Sequence, residues 1–370
     1  MSEFMAKFHS RIARSIAMNP NFPESWKTNL EHMAKQNKER LAALQPPKQT
    51  KERIIYPSII DVTGLKLASL PLEMLVRIAS FLPIEDVLNL SICSKYFHDI
   101  LFAIKFTENV RYDLIFGLSY FDSFTDVTCG LIGPNPVFPK SLRKMKWCYD
   151  GQRYPSPMPE SLTHLELGKR CTRELPELPS CLEYLKLGES YNKHLPELPN
   201  TLTHLILSDS YKKRLPELPD SLTHLVLGRE YNRTLPQLPS LLTHLILGED
   251  YNRMLPHLPD SLLYLKLSGE YNHPLPPLPN SLTHLILGED YDQPLPSLPS
   301  SLKLLQLSIY YTQILPELPN SLEILKLSPR YNQILPSLPD SLKYLYVSKS
   351  FNLPKLPPNV AVEFYGEILR

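Results

Sequence analysis

Residues 215–234 read LPELPDSLTHLVLGREYNRT, and residues 235–254 answer with LPQLPSLLTHLILGEDYNRM. The frame holds over most of the chain: Tyr191, Tyr211, Tyr231, Tyr251, Tyr271, Tyr291, Tyr311 and Tyr331 keep the interval, and Phe351 closes the series. One unit spells LxxLxL, a Gly or Ser, two variable residues, Tyr-Asn, two more, then LPxLPxS. Leu222, Leu225 and Leu227 stand at positions 1, 4 and 6 of such a unit. Positions 4 and 6 alternate with 3 and 5, which is the period of a strand with one face buried. Gly228 then suits a turn that a Cβ would hinder. The return leg carries Leu235, Pro236, Leu238 and Pro239. Each proline holds φ near the polyproline value and lacks an N–H, so this leg reads as extended and unpaired.

One strand, one turn and one extended return make a coil that cannot bury its own leucines, so coils must stack. Strand triplets begin at Leu142, Leu162, Leu182, Leu202, Leu222, Leu242, Leu262, Leu282, Leu302, Leu322 and Leu342. A last strand is expected near Val362 and Phe364, out of phase after a two-residue deletion in FNLPKLPPN, as befits a cap. The expected fold is modular α+β: short helices, then a β-solenoid of twenty-residue period whose convex side is extended and polyproline-like. The expected divisions are a polar leader over 1–65, helices over 66–110, a joint and N-terminal cap over 111–136, and the solenoid over 137–370.

With 370 residues and a net charge of +1 there is no global pull toward nucleic acid or membrane. Prolines number 38 and glycines 12, and the prolines recur in register, unlike those of a disordered tract. Cys93, Cys129, Cys148, Cys171 and Cys181 form no CxxC pair, which reads as free thiols in a reducing compartment. MSEFMAKFHS has no apolar signal core, and no run reaches the length of a membrane span. A soluble intracellular protein is expected, cytoplasmic with the nucleus as the alternative. The leader holds the basic stretches KQNKER and PPKQTKER, and residues 25–44 can form a helix around Trp26, Leu30, Met33 and Leu41.

The LxxLxL core resembles the leucine-rich repeat, and LPxLP in a twenty-residue unit resembles the repeats of some bacterial effectors. The Tyr-Asn pair with LPxLPxSLxxLxLG is closer to FNIP repeats, a family of social amoebae and of giant DNA viruses, over about residues 137 to 370. One departure concerns the asparagine that usually stands three residues after the last strand leucine. Here Ser190, Ser210, Glu230, Asp250, Glu270 and Asp290 hold that place, and asparagine follows two residues later, as in Asn232.

Ahead of the solenoid, residues 67–101 read LASLPLEMLVRIASFLPIEDVLNLSICSKYFHDIL. Pro71 suits a first helical position and Glu73 the positive end of the helix dipole. Leu75, Ile78, Ala79 and Leu82 recur at helical spacing. Pro83 interrupts, Glu85 and Asp86 open a second helix, and Val87, Leu90 and Cys93 continue it, with Phe97 beyond. The order Leu70-Pro71, Glu73, Leu82, Asp86, Leu90, Cys93, Phe97 resembles an F-box. That resemblance implies docking on a Skp-type adaptor and, through it, a cullin ubiquitin ligase. Leu70, Pro71, Leu75, Ile78, Leu82, Leu90 and Cys93 would supply the contacts, some of them serving instead to hold the helices together.

Side chains at positions 3 and 5 of each unit face away from the buried leucines, and in a leucine-rich repeat they line the concave face. Position 3 holds His164, Tyr184, His204, His224, His244, Tyr264 and His284 in turn. Position 5 holds Ile206, Val226, Ile246 and Ile286, with Glu166, Lys186, Lys266 and Lys326 among them. Imidazole and aliphatic groups on an open sheet suit a protein partner, although duplication copies a surface along with its core and such rings can simply stack across strands. Charged imidazoles in one column repel, so the row is expected to stay neutral near pH 7. The tyrosines after the turn are expected to edge the core with their hydroxyls in water.

No metal, cofactor or catalytic residue is called: the histidine column lacks converging carboxylates or thiols, and no phosphate loop or Ser-His-Asp arrangement appears. Bacterial effectors with such repeats can carry a ligase domain beyond them, for which the 370 residues leave no expected room. The expected function is a substrate-recognition adaptor of a Skp–cullin–F-box ligase, with a target protein on the concave face. The alternative is a non-catalytic scaffold that sequesters the adaptor or a host protein without a cullin.

Overall fold

A three-residue strand is stable only if neighbours on both sides satisfy its amides. The computed structural model, which describes residues 72–80, 82, 87, 100–130, 136–148, 154, 157–358 and 360–365, supplies those neighbours from successive coils. The strands are β1 (Val110–Arg111), β2 (Asp126–Cys129), β3 (Lys144–Trp147), β4 (His164–Leu167), β5 (Tyr184–Lys186), β6 (His204–Ile206) and β7 (His224–Val226). They continue as β8 (His244–Ile246), β9 (Tyr264–Lys266), β10 (His284–Ile286), β11 (Leu304–Gln306), β12 (Ile324–Lys326), β13 (Tyr344–Val347) and β14 (Ala361–Phe364). All lie in one sheet in chain order. From β3 to β14 every pairing is parallel. This is a leucine-rich-repeat-like β-solenoid of twenty-residue period, the fold expected from the leucine spacing.

The interior is made by the residues the period picks out. Leu222 and Leu225 are wholly buried, Leu227 and the return-leg Leu235 and Leu238 nearly so. The prolines do what their chemistry allows: residues 235–239 are extended and belong to no helix or strand. At the end of each return leg a tight turn forms, as where the Pro219 carbonyl accepts from the Leu222 N–H at 3.0 Å. The serine inside that turn ties coil to coil. Ser221 Oγ donates to the Leu202 carbonyl at 2.7 Å, and Ser261, Ser281, Ser301 and Ser321 make the same bond in their own coils.

Leu241 stands where that serine belongs, and its side chain is 55% exposed. Leu241→Ser is therefore expected to stabilise the array by about 0.5–1.5 kcal/mol, the net worth of one hydrogen bond to the Leu222 carbonyl. A thermal or urea melt checks it; an unchanged midpoint would mean that the carbonyl is already satisfied.

Two expectations are corrected. First, the tyrosine hydroxyls do not reach water. Tyr191, Tyr211, Tyr231, Tyr251, Tyr271, Tyr291 and Tyr311 are fully buried, their rings near-parallel with centroids 6.1–6.4 Å apart. Tyr191 Oη donates to the His194 carbonyl at 3.2 Å and Tyr211 Oη to that of Arg214 at 3.3 Å. The buried hydroxyls from Tyr231 through Tyr331 make no hydrogen bond of normal geometry. Burial pushes the Tyr231 phenol up to about 12, against a weak pull from the Leu215 amide.

A Cβ at Gly228 would be hindered, as expected, though not through φ, since Gly117 is the one positive-φ glycine among the described residues. A Cβ on Gly228 would overlap the Ser208 carbonyl of the preceding coil, so the constraint is close approach. Second, β14 forms where the last strand is expected and out of the twenty-residue phase, but the shortening is three residues, not two: Tyr344 lies opposite Ala361 in the ladder. Two are missing before Leu353 and one more after Pro357. The shortening falls in the extended leg, which pairs with nothing, so the ladder is not disturbed.

The displaced asparagine also finds its work. Asn192 Oδ1 accepts from the Lys212 N–H at 3.0 Å, Asn232 Oδ1 from Asn252 N–H at 3.2 Å, and Asn272 Oδ1 from Asp292 N–H at 3.0 Å. The inter-coil ladder exists, moved two residues along the turn to the residue after the buried tyrosine.

The chain divides into two units. The solenoid unit takes Arg111–Leu114, Val127–Val137 and Arg143–Arg370; the other takes residues up to Val110, Ile115–Asp126 and Phe138–Leu142. In the latter, helix α1 (Leu72–Ala79) has Glu73 in its first turn and Arg77 in its last, each favourable to the helix dipole. Leu75, Ile78, Ala79 and Leu82 are buried. Phe106 stacks on Phe124 with centroids 4.9 Å apart, and the buried Ser123 Oγ donates to the Leu101 carbonyl at 2.7 Å. The leader, Leu70, Pro71, Leu90, Cys93 and most of the second helical stretch lie outside the described residues.

Candidate target-binding face

Each strand turns its middle residue inward and its first and third outward, so the sheet carries two outward columns. The first column is a continuous row of rings. His164, Tyr184, His204, His224, His244, Tyr264 and His284 follow one another across β4–β10 with centroid spacings of 4.2–5.9 Å. The three adjacent imidazoles, His204, His224 and His244, are the closest, at 4.2 Å and within 9–11° of parallel. Leu304 and Ile324 continue the column without rings.

A partner that the sequence reading missed orients these imidazoles. Thr223 Oγ donates to the Thr203 carbonyl at 3.0 Å and lies 2.9 Å from His224 Nδ1. The same pair of contacts recurs at Thr163–His164, Thr203–His204, Thr243–His244 and Thr283–His284. A hydroxyl has one proton. With that proton on the carbonyl, its lone pair accepts from Nδ1–H, and the neutral ring keeps Nε2 as a bare acceptor. The signal was in plain sight: the dipeptide Thr-His recurs as a unit, whereas Tyr184, Tyr264 and Tyr344 follow Glu183, Leu263 and Lys343.

Burial, then the neighbouring imidazole charges, lower the pKa of His204 and His224. For His284 burial leads, followed by Lys303 and His244. His204, His224 and His284 are therefore uncharged at neutral pH, and a stability prediction follows with a definite sign. The unfolded chain protonates at the ordinary imidazole value, about 6.5, before the folded one does. Stability is full above that value and is lost as pH falls through it toward the lowered folded-state values. The melting temperature should be flat from pH 8 to 7 and should fall from pH 7 to 5, less steeply in His224→Gln. A flat profile in that window would refute the lowering of these imidazole pKa values by burial and by their neighbours.

The second column is Lys146, Glu166, Lys186, Ile206, Val226, Ile246, Lys266, Ile286, Gln306 and Lys326. Glu166 bridges two lysines, Lys146 at 3.4 Å and Lys186 at 3.1 Å. Burial acts to raise the Glu166 carboxyl, and the hydrogen bonds and charges of Lys186 and Lys146 outweigh it and hold it below its ordinary value. Ile206, Val226 and Ile246 are half-buried and adjacent, in register on β6, β7 and β8. Among the described residues no group of three or more His, Cys, Asp or Glu is placed to hold a metal ion, and no helix is long and apolar enough to cross a membrane.

The face thus brings together the whole sequence-derived set on the sheet: His164, Tyr184, His204, His224, His244, Tyr264 and His284 in one column, and Ile206, Val226, Ile246 and Ile286 in the other. Of the residues assigned to adaptor contact, Leu75, Ile78 and Leu82 are buried in their own unit at 1%, 2% and 7% exposure. In this conformation they are buried and offer little surface. The other four lie outside the described residues.

A parallel ladder of three-residue strands with inward leucines and extended proline legs defines a leucine-rich-repeat solenoid. The FNIP repeat model matches residues 215–250, 271–310 and 311–350, and an F-box-like model matches residues 67–106. The chain carries an F-box-like segment followed by FNIP repeats. Among solved structures it is similar to YopM from Yersinia enterocolitica, at 28% identity over 64% of this chain and 58% of that one, with a TM-score of 0.50. It is also similar to CroV588, described as a novel circular leucine-rich-repeat protein, at 27% identity over 65% of this chain and 49% of that one, TM-score 0.48. The match thus spans about half the length of these relatives. No curated protein matches the sequence.

Proposed function

We propose that this protein is the substrate-recognition adaptor of a Skp–cullin–F-box ubiquitin ligase. The F-box-like segment docks on a Skp-type adaptor, and the strand face of the solenoid holds a target protein. The observation that carries this reading is the pairing of an F-box-like segment with a solenoid whose sheet sets two columns of outward side chains in register. Ubiquitin transfer needs its target held at a set place relative to the transferring enzyme, and that is a task of positioning. No chemistry is asked of this chain.

Co-purification tests it. The intact chain is expected to retain a Skp-type adaptor together with a cullin, and Leu70→Ala with Pro71→Ala is expected to lose both while the solenoid keeps its melting transition. Retention of the adaptor without a cullin would favour a sequestering scaffold. Retention that survives the double substitution would remove the F-box assignment.

A further inference from the structure

The whole chain carries a net charge of +1, but the outward positions of β3–β13 do not share that balance. They hold Lys144, Lys146, Lys186, Lys266 and Lys326 against the single carboxylate Glu166. Glu166 lies between Lys146 and Lys186, so one carboxylate serves two ammonium groups and one positive charge is left over. Lys266 is exposed, with Ile246 and Ile286 as its register neighbours. Between Lys186 and Lys266 the column is entirely aliphatic: Ile206, Val226, Ile246.

This order of charge, apolar strip and charge has a length. Lys186 and Lys266 are four strand steps apart, about 19 Å at the usual spacing of about 4.8 Å. An extended peptide laid along the column advances about 3.3 Å per residue, so about six residues separate side chains that stand over the two lysines. Alternate side chains of such a peptide face the sheet. If residue i meets Lys186, residues i+2 and i+4 lie over the aliphatic strip and residue i+6 meets Lys266.

We infer that the strand face binds an extended acidic–apolar segment of a protein, with carboxylates six residues apart and two apolar side chains between them on the same side. The inference rests on the target-binding reading above and names the chemistry of the target. Carboxylates on Lys186 and Lys266 supply charge complementarity, which sets register more than affinity. The aliphatic strip between them, bordered by the column of rings, supplies the apolar area. A nucleic acid fits less well, since its backbone carries a charge on every nucleotide and would set phosphates over Ile206, Val226 and Ile246.

The test uses the full chain and fluorescently labelled peptides read by anisotropy. The peptide Asp-Ser-Leu-Ser-Leu-Ser-Asp is expected to bind at least tenfold more tightly than its analogue with Lys for Asp, and than its analogue with Ser for Leu. Lys186→Glu and Lys266→Glu should each weaken it at least tenfold. Lys266→Ala, a milder change at the same exposed place, serves if the glutamate variant does not fold by circular dichroism. Equal binding of acidic and basic peptides, or binding indifferent to both lysines, would overturn the inference, and so would tighter binding of an oligouridine of matching length. A random peptide library panned on the intact chain separates this failure from that of the broader reading. Selected binders of another chemistry that are lost in Val226→Lys would leave target binding standing and remove the acidic class. Binders indifferent to Val226→Lys would remove both.

Discussion

Tyr251→Ala is expected to cost about 3–5 kcal/mol, the range for removing a buried aromatic ring, while Tyr251→Phe should be neutral or stabilising. The ring is fully buried, with Tyr231 on one side at 6.2 Å and Tyr271 on the other at 6.3 Å. Truncation leaves a hole between two coils that leucines on either side cannot fill, because each is fixed by its own strand. In a stack of coils such a loss acts on the neighbouring interfaces, so the melt should split or broaden as well as shift. The hydroxyl is a different matter. It is buried without a hydrogen bond of normal geometry; burial raises its pKa above the ordinary phenol value, and the Leu235 N–H pulls the other way. Removing a poorly satisfied buried oxygen relieves a desolvation cost of about 1–3 kcal/mol and gives up only that weak attraction. Tyr191 provides the contrast, because its hydroxyl accepts from Leu175 N–H at 3.3 Å and donates to the His194 carbonyl at 3.2 Å. Tyr191→Phe should therefore cost about 0.5–1.5 kcal/mol. Equal responses from the two Phe variants would mean that both oxygens are hydrogen bonded in solution.

The contrast between Tyr191 and Tyr251 marks where the sequence is legible. The leucines at positions 1, 4 and 6 and the prolines of the return leg each act through their own backbone or hydrophobicity, and the fold could be read from them. The outward columns were legible for the same reason, since alternation along one strand decides which way a side chain faces. What was missed depends on the residue one coil away. The Thr–His contact is set by the carbonyl of the preceding coil, which accepts from Thr223 Oγ and so leaves the oxygen to the imidazole. The asparagine ladder, the buried phenol oxygens and the true spacing of β14 likewise appear only when coils are stacked. A repeat period says that position 231 meets position 251; it does not give the angle at which they meet.

The glycine column shows what such a meeting demands. Gly228→Val is expected to destabilise the array by about 1–3 kcal/mol or more, as overpacking does, because the added Cβ would overlap the Ser208 carbonyl and come within 3.0 Å of the Asp209 nitrogen. Those atoms are backbone, and the same carbonyl of Ser208 already accepts from Tyr211 N–H at 3.2 Å, so it cannot move freely. Gly228→Ser should be milder than Gly228→Ala despite its larger side chain. Serine occupies this column at Ser208, Ser268 and Ser308, each nearly fully buried, and each donates its hydroxyl to a tyrosine carbonyl seventeen residues back: Tyr191 at 2.5 Å, Tyr251 at 2.5 Å and Tyr291 at 2.6 Å. At position 228 the corresponding acceptor is the Tyr211 carbonyl, and the new bond would offset about 0.5–1.5 kcal/mol of the crowding. The expected order of stability by denaturant melt is wild type, Ser, Ala, Val. If Ala melts with or above Ser, the turn does not take its hydroxyl bond at this coil. If Val melts with the wild type, the coils are not packed as closely here as Gly228 and Ser208 require.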